Sequence, residues 1–232
     1  MRLIVFDCDG TLVDSQHVIG QSMARAFELA DLQSPTLDET RRIVGLALVE
    51  AVARLLPEGE THRAEEVAGH YKTAFGEIRR SENINEPLFP SVRETLTTLN
   101  DAGYLLAVAT GKSQRGLRLT LAHHNLEEHF VTLQTVDDAP GKPHPGMLLN
   151  AMDIAGVSPS ETAFVGDTVF DMETARNAGT LAVGVSWGYH ENHELEAAGA
   201  HHLIHHMDDL AGALNLNIEV AAVPPDISIE VE

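Results

Sequence analysis

Short apolar runs alternate with amphipathic stretches along most of this chain. A run that is apolar along its whole length is typical of a strand buried on both faces of a parallel sheet. Five such runs are predicted to be strands: Leu3–Phe6, Tyr104–Thr110, Val131–Thr135, Thr162–Gly166 and Leu181–Val185. The helical patterns between them are Ser91–Ala102, Ser113–Asn125, Pro145–Gly156 and Thr168–Ala178. Strands separated by helices of about 10–15 residues predict an α/β fold with a doubly wound, Rossmann-like parallel sheet.

Residues 16–80 interrupt this alternation. Their pattern predicts three helices and no strand, over roughly 16–31, 37–56 and 61–80. The segment Ser81–Pro90 contains two prolines, which is typical of a linker. The sequence therefore predicts two domains: an α/β core of residues 1–14 and 86–232, and a helical insert of residues 15–85 that follows the first strand.

Two Ser/Thr-x-x-Glu patterns predict where helices begin. In such a capping box the hydroxyl accepts a hydrogen bond from a backbone N–H three residues on, and the glutamate reaches back to the capping residue. Thr36 with Glu39 is expected to start the second helix of the insert. Ser91 with Glu94 is expected to start the helix that follows the linker.

The composition narrows the classes of partner. The chain has 232 residues, with 15 Lys and Arg against 35 Asp and Glu and a net charge of −20. Such a surface repels nucleic acid and anionic membranes, so neither is expected as a partner. No apolar run approaches the roughly 18 residues that a membrane-spanning helix needs. The single cysteine, Cys8, cannot form an internal disulfide, and the acidic start is unlike a secretory signal, so a cytoplasmic location is expected.

The first predicted strand ends in an acidic motif. Asp7 and Asp9 follow it directly, with Gly10 and Thr11 next in the chain. Open α/β sheets bind ligands at the carboxyl ends of their strands. Two carboxylates packed together repel each other, which favours a hard cation such as Mg²⁺ between them. The sequence therefore predicts a ligand site and a metal site at this strand end.

Three further motifs follow in order, each after a predicted strand or in a loop. Their central residues are Thr110, Gly111 and Lys112, then Lys142 in a Gly-Lys-Pro-His-Pro loop, then Asp167 and Asp171. Together with the string DCDGTLVDS at residues 7–15, they resemble the four motifs of the haloacid dehalogenase superfamily. The helical insert resembles the small cap of its phosphoglycolate phosphatase-like branch. The resemblance covers about residues 1–210.

The resemblance implies a Mg²⁺-dependent phosphatase that acts on a small phosphorylated metabolite. Asp7 is then the nucleophile that forms an aspartyl-phosphate, Asp9 the general acid and base, and Lys142 the cation that neutralises the transferring group. The phosphate-binding residues that it implies are Thr110, Gly111 and Lys112, a surface position being the alternative for Lys112. The Mg²⁺ ligands that it implies are Asp7, Asp9 through its backbone carbonyl, Asp167 and Asp171.

Specificity is expected to reside in the insert. Arg41–Leu46 resembles a cap segment of phosphoglycolate phosphatase-like enzymes, in which Arg42 would bind a substrate carboxylate; a solvated helix face is the alternative. Phosphoglycolate is the expected substrate. The alternatives are a pyrophosphatase and a phosphosugar mutase of the β-phosphoglucomutase type, although the mutase arginine expected shortly after Gly45 is missing. A dehalogenase is disfavoured because Asp9 is present. Monomer and homodimer both stay open.

Thirteen histidines raise the question of a second metal site. Four of them lie at 201, 202, 205 and 206, on what is predicted to be a final short strand. Neighbouring side chains on a strand point to opposite faces, so a structural strand is favoured over a ligand cluster. His17 is a candidate to reach the acidic site from the start of the insert. Residues 220–232 are expected to form a loose tail or an extra edge strand.

Overall fold

The computed structural model describes residues 1–80 and 85–216. Its strands are β1 (Leu3–Phe6), β2 (Leu105–Thr110), β3 (Thr132–Thr135), β4 (Thr162–Gly166), β5 (Leu181–Val185) and β6 (His202–Ile204). The helices of the first half are α1 (Gln16–Leu29), α2 (Leu37–Arg41), α3 (Leu48–Leu55), α4 (Ala64–Ile78) and α5 (Val92–Asp101). Those of the second half are α6 (Gln114–His123), α7 (Gly146–Ala155), α8 (Val169–Ala178), α9 (Asn192–Ala197) and α10 (Leu210–Ala213).

The six strands form one parallel sheet in the order β3-β2-β1-β4-β5-β6. The chain therefore builds outward from β1 in one direction and then in the other. In open sheets of this kind, a crevice opens at the carboxyl ends of the strands where the order reverses. Here that point is β1 with its neighbours β2 and β4, which confirms the predicted α/β architecture.

Alternate residues of β1 supply the two faces of the sheet, as the two-residue period of a strand requires. Ile4 and Phe6 belong to a buried cluster with Leu96 of α5 and Leu117 of α6. The intervening positions of β1 belong to a second cluster with α7 and α8. Every residue of β1 is fully buried, which explains why its sequence is apolar throughout rather than alternating.

The insert consists of α1 to α4 and has a hydrophobic cluster of its own. Met23 and Phe27 of α1 pack with Val52 of α3 and Val67 of α4. Phe170, in the first turn of α8, joins the same cluster and thus connects the insert to the core. The part of the insert that the structure describes contains helices and no strand, as predicted.

Two predictions about helix starts and stops were wrong. The helix expected over 37–56 is divided into α2 and α3, because the chain turns through residues 42–47 and Gly45 has φ +100°. Ser91 has φ +61° and makes no side-chain cap; its hydroxyl donates instead to Asp208, so the expected capping box is not formed. The box at Thr36 is present and starts α2, as predicted.

The histidine-rich segment does form the predicted final strand, β6. The tail expected at 220–232 lies outside the described residues, as does part of the Ser81–Pro90 linker. Every helix within residues 1–80 and 85–216 is too short or too polar to span a lipid bilayer.

Candidate active site

The predicted motif residues meet at the carboxyl ends of the three central strands. Asp7 follows β1, Thr110 is the last residue of β2, and Asp167 follows β4. Lys142 enters from the loop before α7, and Asp171 comes from the first turn of α8. All five side chains are at least 99% buried. Parallel strand order therefore gathers residues that lie up to 164 positions apart in the sequence.

A buried lysine lies between two of the carboxylates. Nζ of Lys142 is 2.8 Å from Oδ1 of Asp7 and 2.6 Å from Oδ1 of Asp171. No donor among the described residues reaches Oδ2 of Asp7. Burial raises the pKa of Asp7 to about 7; Lys142 opposes that rise, and the nearby charge of Asp171 adds to it. The positive charge of Lys142 thus compensates only part of the negative charge at Asp7.

Asp167 is held in place by hydrogen bonds on both of its oxygens. Thr11 Oγ1 donates to Oδ1 at 2.8 Å, and the backbone N–H of Tyr189 donates to Oδ2 at 3.0 Å. Burial, with the charges of Asp171 and Asp7, still raises the pKa of Asp167 well above its ordinary value. The carboxylate is thus oriented by its donors, while its charge stays largely uncompensated.

Asp171 is fixed by the start of α8. Its Oδ2 accepts hydrogen bonds from the backbone N–H of Thr168 at 2.9 Å and from the Thr168 hydroxyl at 2.7 Å. These contacts form the capping box of the helix. Because its other oxygen faces Lys142, Asp171 positions that lysine as well as contributing negative charge.

The donor set fits a hard divalent cation. Asp7, Asp167 and Asp171 each offer an oxygen, and these oxygens all lie within 4.8 Å of one another. Carboxylate oxygens without nitrogen or sulfur ligands suit Mg²⁺ rather than zinc. Burial, together with the charges of neighbouring carboxylates, raises the pKa of Asp7 and of Asp167, and a divalent ion would stabilise the ionised form of both. The Asp9 side chain lies outside this group, so its predicted ligand is the backbone carbonyl alone.

The carboxylate of Asp9 turns toward a different set of partners. Its Oδ1 accepts a short hydrogen bond from the Ser15 hydroxyl and lies 2.8 Å from Nζ of Lys112. Burial by itself would lower the pKa of Lys112, but the charge of Asp9 holds it above its ordinary value. The ammonium also lies 5.2 Å from the centre of the Phe75 ring of α4. The side chain of Lys112 is therefore largely buried between core and insert, with 8% of it exposed, and the surface alternative was wrong.

The chain around Thr110 and Gly111 is covered by the turn between α2 and α3. Thr110 is buried, and its hydroxyl accepts a hydrogen bond from the Lys112 backbone N–H at 3.4 Å. A Cβ at Gly111 would lie 2.7 Å from the carbonyl oxygen of Leu46 and 2.8 Å from that of Gly45. Glycine is needed at 111 because the backbone of the insert lies directly against it.

The structure places Arg42 against the core. Its guanidinium makes two hydrogen bonds of 2.6 Å to the carboxylate of Glu194 in α9, with the arginine side chain half exposed. The preceding Arg41 donates to the backbone carbonyl of Gly188 at 3.4 Å. Both arginines thus connect the insert to the segment after β5. Neither partner could be read from the sequence.

Sequence reasoning did not place three residues of the site beside the carboxylates. Thr11 and Ser15 belong to the first motif, so their proximity to the carboxylates could have been anticipated from their spacing. Tyr189 lies in a loop after β5 with no charge or spacing pattern that marks it, and its essential group is a backbone N–H. Such a contact is visible once the sheet order is known.

The histidines do not assemble a metal site among the described residues. His17 is exposed at the start of α1. His201 accepts a hydrogen bond from the Ala182 backbone through Nδ1 and contacts Arg176 through Nε2, while His205 pairs with the Ser186 hydroxyl. These contacts tie β6 to its neighbours, as expected for a structural strand.

Comparison with known proteins relates this geometry to a family. A family model described as haloacid dehalogenase-like hydrolase matches residues 4–185. The chain is 34% identical over 228 residues to a probable phosphatase IndB of Dickeya dadantii, covering 96% of this chain and 97% of that protein. It is 32% identical over 222 residues to a phosphoglycolate phosphatase of Pseudomonas putida, covering 92% and 78%.

A solved structure shows the same fold. The crystal structure of a predicted phosphoglycolate phosphatase from Haemophilus somnus superposes with a TM-score of 0.81 at 25% sequence identity. The match covers 92% of this chain and 98% of that one. The similarity therefore extends over the α/β core and the helical insert together.

Proposed function

The chain belongs to the haloacid dehalogenase-like hydrolases and is a phosphatase of that family, and from this premise we propose that it hydrolyses a small phosphomonoester with Mg²⁺ through a phosphorylated Asp7. The observation that carries the proposal is the environment of Asp7. Its carboxylate is buried and lies next to a buried cation, and one of its oxygens receives no hydrogen bond from any residue that the structure describes. A carboxylate held in this way is suited to attack an electrophilic phosphorus.

We propose that Asp7 and Asp9 divide the reaction between them. Oδ2 of Asp7 attacks phosphorus, and the bond from phosphorus to the ester oxygen breaks while Asp9 donates its proton to the leaving oxygen. Asp9 then takes a proton from water as that water attacks the phosphoryl group on Asp7. The bond between Asp7 and phosphorus breaks, which releases inorganic phosphate and restores the ionised Asp7 and the protonated Asp9 with which the cycle began.

Phosphoryl transfer is mainly a matter of positioning and charge neutralisation. The proposed metal ligands are Asp7, the backbone carbonyl of Asp9, Asp167 and Asp171, and Mg²⁺ would there neutralise charge on the phosphoryl oxygens. Lys142 supplies a second positive charge beside Asp7. The backbone around Thr110 and Gly111 is proposed to bind the remaining phosphate oxygens, since it lies at the carboxyl end of β2 beside Asp7.

We propose that residues 15–85 are a mobile cap and that residues 1–14 and 86–232 are the catalytic core. The two connections between them lie side by side: the Asp14 N–H donates to the Pro87 carbonyl at 2.8 Å, and the Phe89 N–H donates to the Leu12 carbonyl at 3.0 Å. Two adjacent connections can act as one hinge. Opening there would lift the Gly45 turn from Gly111 and admit the substrate, and closing would exclude water.

The contacts of Lys112 favour a substrate with an anionic leaving group. Its ammonium lies beside Asp9, the residue proposed to protonate the leaving oxygen. A negative charge a few bonds from that oxygen would therefore lie close to the Lys112 ammonium. The carboxylate of phosphoglycolate and the second phosphate of pyrophosphate are both charges of this kind. Phosphoglycolate is the proposed substrate and pyrophosphate the alternative. Arg42 is proposed to assist once it exchanges Glu194 for the substrate. The cytoplasmic location stays a prediction.

A substrate panel with and without Mg²⁺ tests the proposal. We expect release of phosphate in Mg²⁺, none in excess chelator, and loss of about 10⁶ in kcat for Asp7→Asn. Mass spectrometry after acid quench should find one added phosphoryl group on Asp7 in the wild type. Full activity in chelator would contradict the metal, and an unphosphorylated Asp7 during turnover would contradict the nucleophile. Isomerised sugar phosphate in place of free phosphate would favour the mutase.

The role of Lys112 is tested by two substrates that differ in one charged group. Phosphoglycolate and ethyl phosphate share the reacting centre, and the carboxylate is present only in the first. For Lys112→Met we expect the ratio of their kcat/KM values to fall about tenfold, equivalent to about 1.4 kcal/mol. The ratio removes any effect on Asp9 that both substrates share. An unchanged ratio would mean that Lys112 interacts only with Asp9 and does not contact the carboxylate of the substrate.

A further inference from the structure

The loop between β5 and α9, residues 186–191, lies against Asp167. The backbone N–H of Tyr189 donates to Asp167 Oδ2 at 3.0 Å, and the N–H of His190 donates to the Asp167 carbonyl at 3.3 Å. Gly188 packs so closely that a Cβ there would lie 2.1 Å from Cβ of Asp167. The orientation of the Asp167 carboxylate therefore depends on the path of this loop.

The insert contacts the same loop from the other side. Arg41 donates to the Gly188 carbonyl at 3.4 Å, and its guanidinium carbon lies 5.8 Å from the centre of the Tyr189 ring. The Tyr189 ring is buried against Ile19 and Val44, which both belong to the insert. One arginine of the insert thus contacts two of the residues that position Asp167.

We propose that Arg41 is a positioning residue that couples closure of the insert to the metal site through Gly188, Tyr189 and Asp167. The inference rests on the proposed function, since it takes Asp167 as a Mg²⁺ ligand and the insert as a cap. Partners that orient a metal ligand commonly change metal affinity by tenfold or more when they are lost. Because coupling between two equilibria is reciprocal, metal binding then favours the closed insert by the same factor.

The direction in which Mg²⁺ affinity changes in an Arg41 variant distinguishes this coupling from a simple electrostatic effect. Removal of a positive charge near an acidic cluster strengthens the attraction of Mg²⁺ by Coulomb's law. Loss of positioning weakens Mg²⁺ binding instead. A weaker affinity in an Arg41 variant therefore cannot come from the change in charge.

Arg42 provides the matched control. Arg42→Met removes the same charge from the next residue and breaks the ion pair with Glu194, which also joins insert to core. It leaves the contacts of Gly188 and Tyr189 with Asp167 in place. If Mg²⁺ affinity responded to any loss of insert docking, both variants would weaken it equally.

The sole tryptophan gives a readout that does not depend on activity. Trp187 lies in the same loop, and its indole N–H donates to the Thr11 carbonyl at 3.2 Å. Mg²⁺ is titrated into substrate-free wild type, Arg41→Met and Arg42→Met while Trp187 fluorescence is recorded, and Mn²⁺ binding is measured in parallel by electron paramagnetic resonance. We expect the dissociation constant to rise about fivefold or more in Arg41→Met and to stay within about twofold in Arg42→Met.

The measured dissociation constants distinguish failure of the coupling from failure of the proposed function. Equal dissociation constants in wild type and Arg41→Met, or equal weakening in both variants, would overturn the coupling. A wild type that binds neither ion would instead contradict the metal of the proposed function, which keeps the two failures apart. Circular dichroism verifies that each variant is folded, and Arg41→Gln replaces Arg41→Met in the same comparison if the methionine variant is not.

Discussion

Replacing the proposed nucleophile Asp7 by asparagine should inactivate the protein and stabilise its metal-free form. Burial raises the pKa of Asp7 from its ordinary 3.8 to about 7. At pH 8 the folded protein holds this carboxylate ionised in an environment that disfavours the charge. A pKa difference of about 3 units corresponds to about 4 kcal/mol. Asparagine has nearly the same shape without the charge, so up to about this much stability should be regained.

The stability gained by Asp7→Asn should increase as the pH rises. Because the pKa of Asp7 is higher in the folded state, the native protein binds the proton more tightly than the unfolded chain does. Between about pH 4 and pH 7, each rise of one pH unit therefore lowers the free energy of unfolding of the wild type by about 1.4 kcal/mol through Asp7. Asp7→Asn lacks this cost, so its advantage in stability should be smaller at pH 5 than at pH 8 and greatest above pH 7.

Urea denaturation in excess chelator at pH 5 to 8 measures the difference between the two proteins. Asp153→Asn is the control, since it makes the same chemical change on the exposed face of α7 and should alter stability by less than about 0.5 kcal/mol. Added Mg²⁺ should reduce the difference, because a bound cation stabilises the ionised carboxylate of the wild type. An Asp7→Asn protein that is less stable than wild type at pH 8, or a difference independent of pH, would refute the reasoning.

Three further predictions concern single positions. Lys142→Met should lower stability by about 3–5 kcal/mol, because it leaves buried carboxylates without their cation, whereas the exposed Lys72→Met should have little effect in the same thermal melts. Gly111→Ala should reduce kcat/KM about 100-fold with the core still folded, since the new Cβ would meet the carbonyls of the insert turn; activity near wild type would mean that the insert does not close on Gly111. Cys8 is fully buried and burial raises its thiol pKa, so native protein should resist thiol reagents that label the unfolded chain; rapid native labelling would contradict that burial.

The sequence alone determined the sheet and the position of the candidate catalytic residues at its carboxyl edge. Strands buried on both faces must be apolar along their length, so β1, β2, β4 and β5 are visible as runs. Asp7, Thr110 and Asp167 stand directly at strand ends, and parallel strands place those ends at one edge. Local patterns of this kind depend on neighbours in the chain, which is why they can be read without a structure.

Tertiary structure decided the features that depend on residues distant in the chain. The helix predicted over 37–56 is interrupted because its Gly45 turn packs against Gly111, and Ser91 turns its hydroxyl to Asp208 instead of capping α5. Lys112 gave no sequence signal for its partner, because Asp9 approaches it from the neighbouring strand. A side chain takes the best partner that the fold brings near, and that partner is fixed by packing rather than by spacing along the chain.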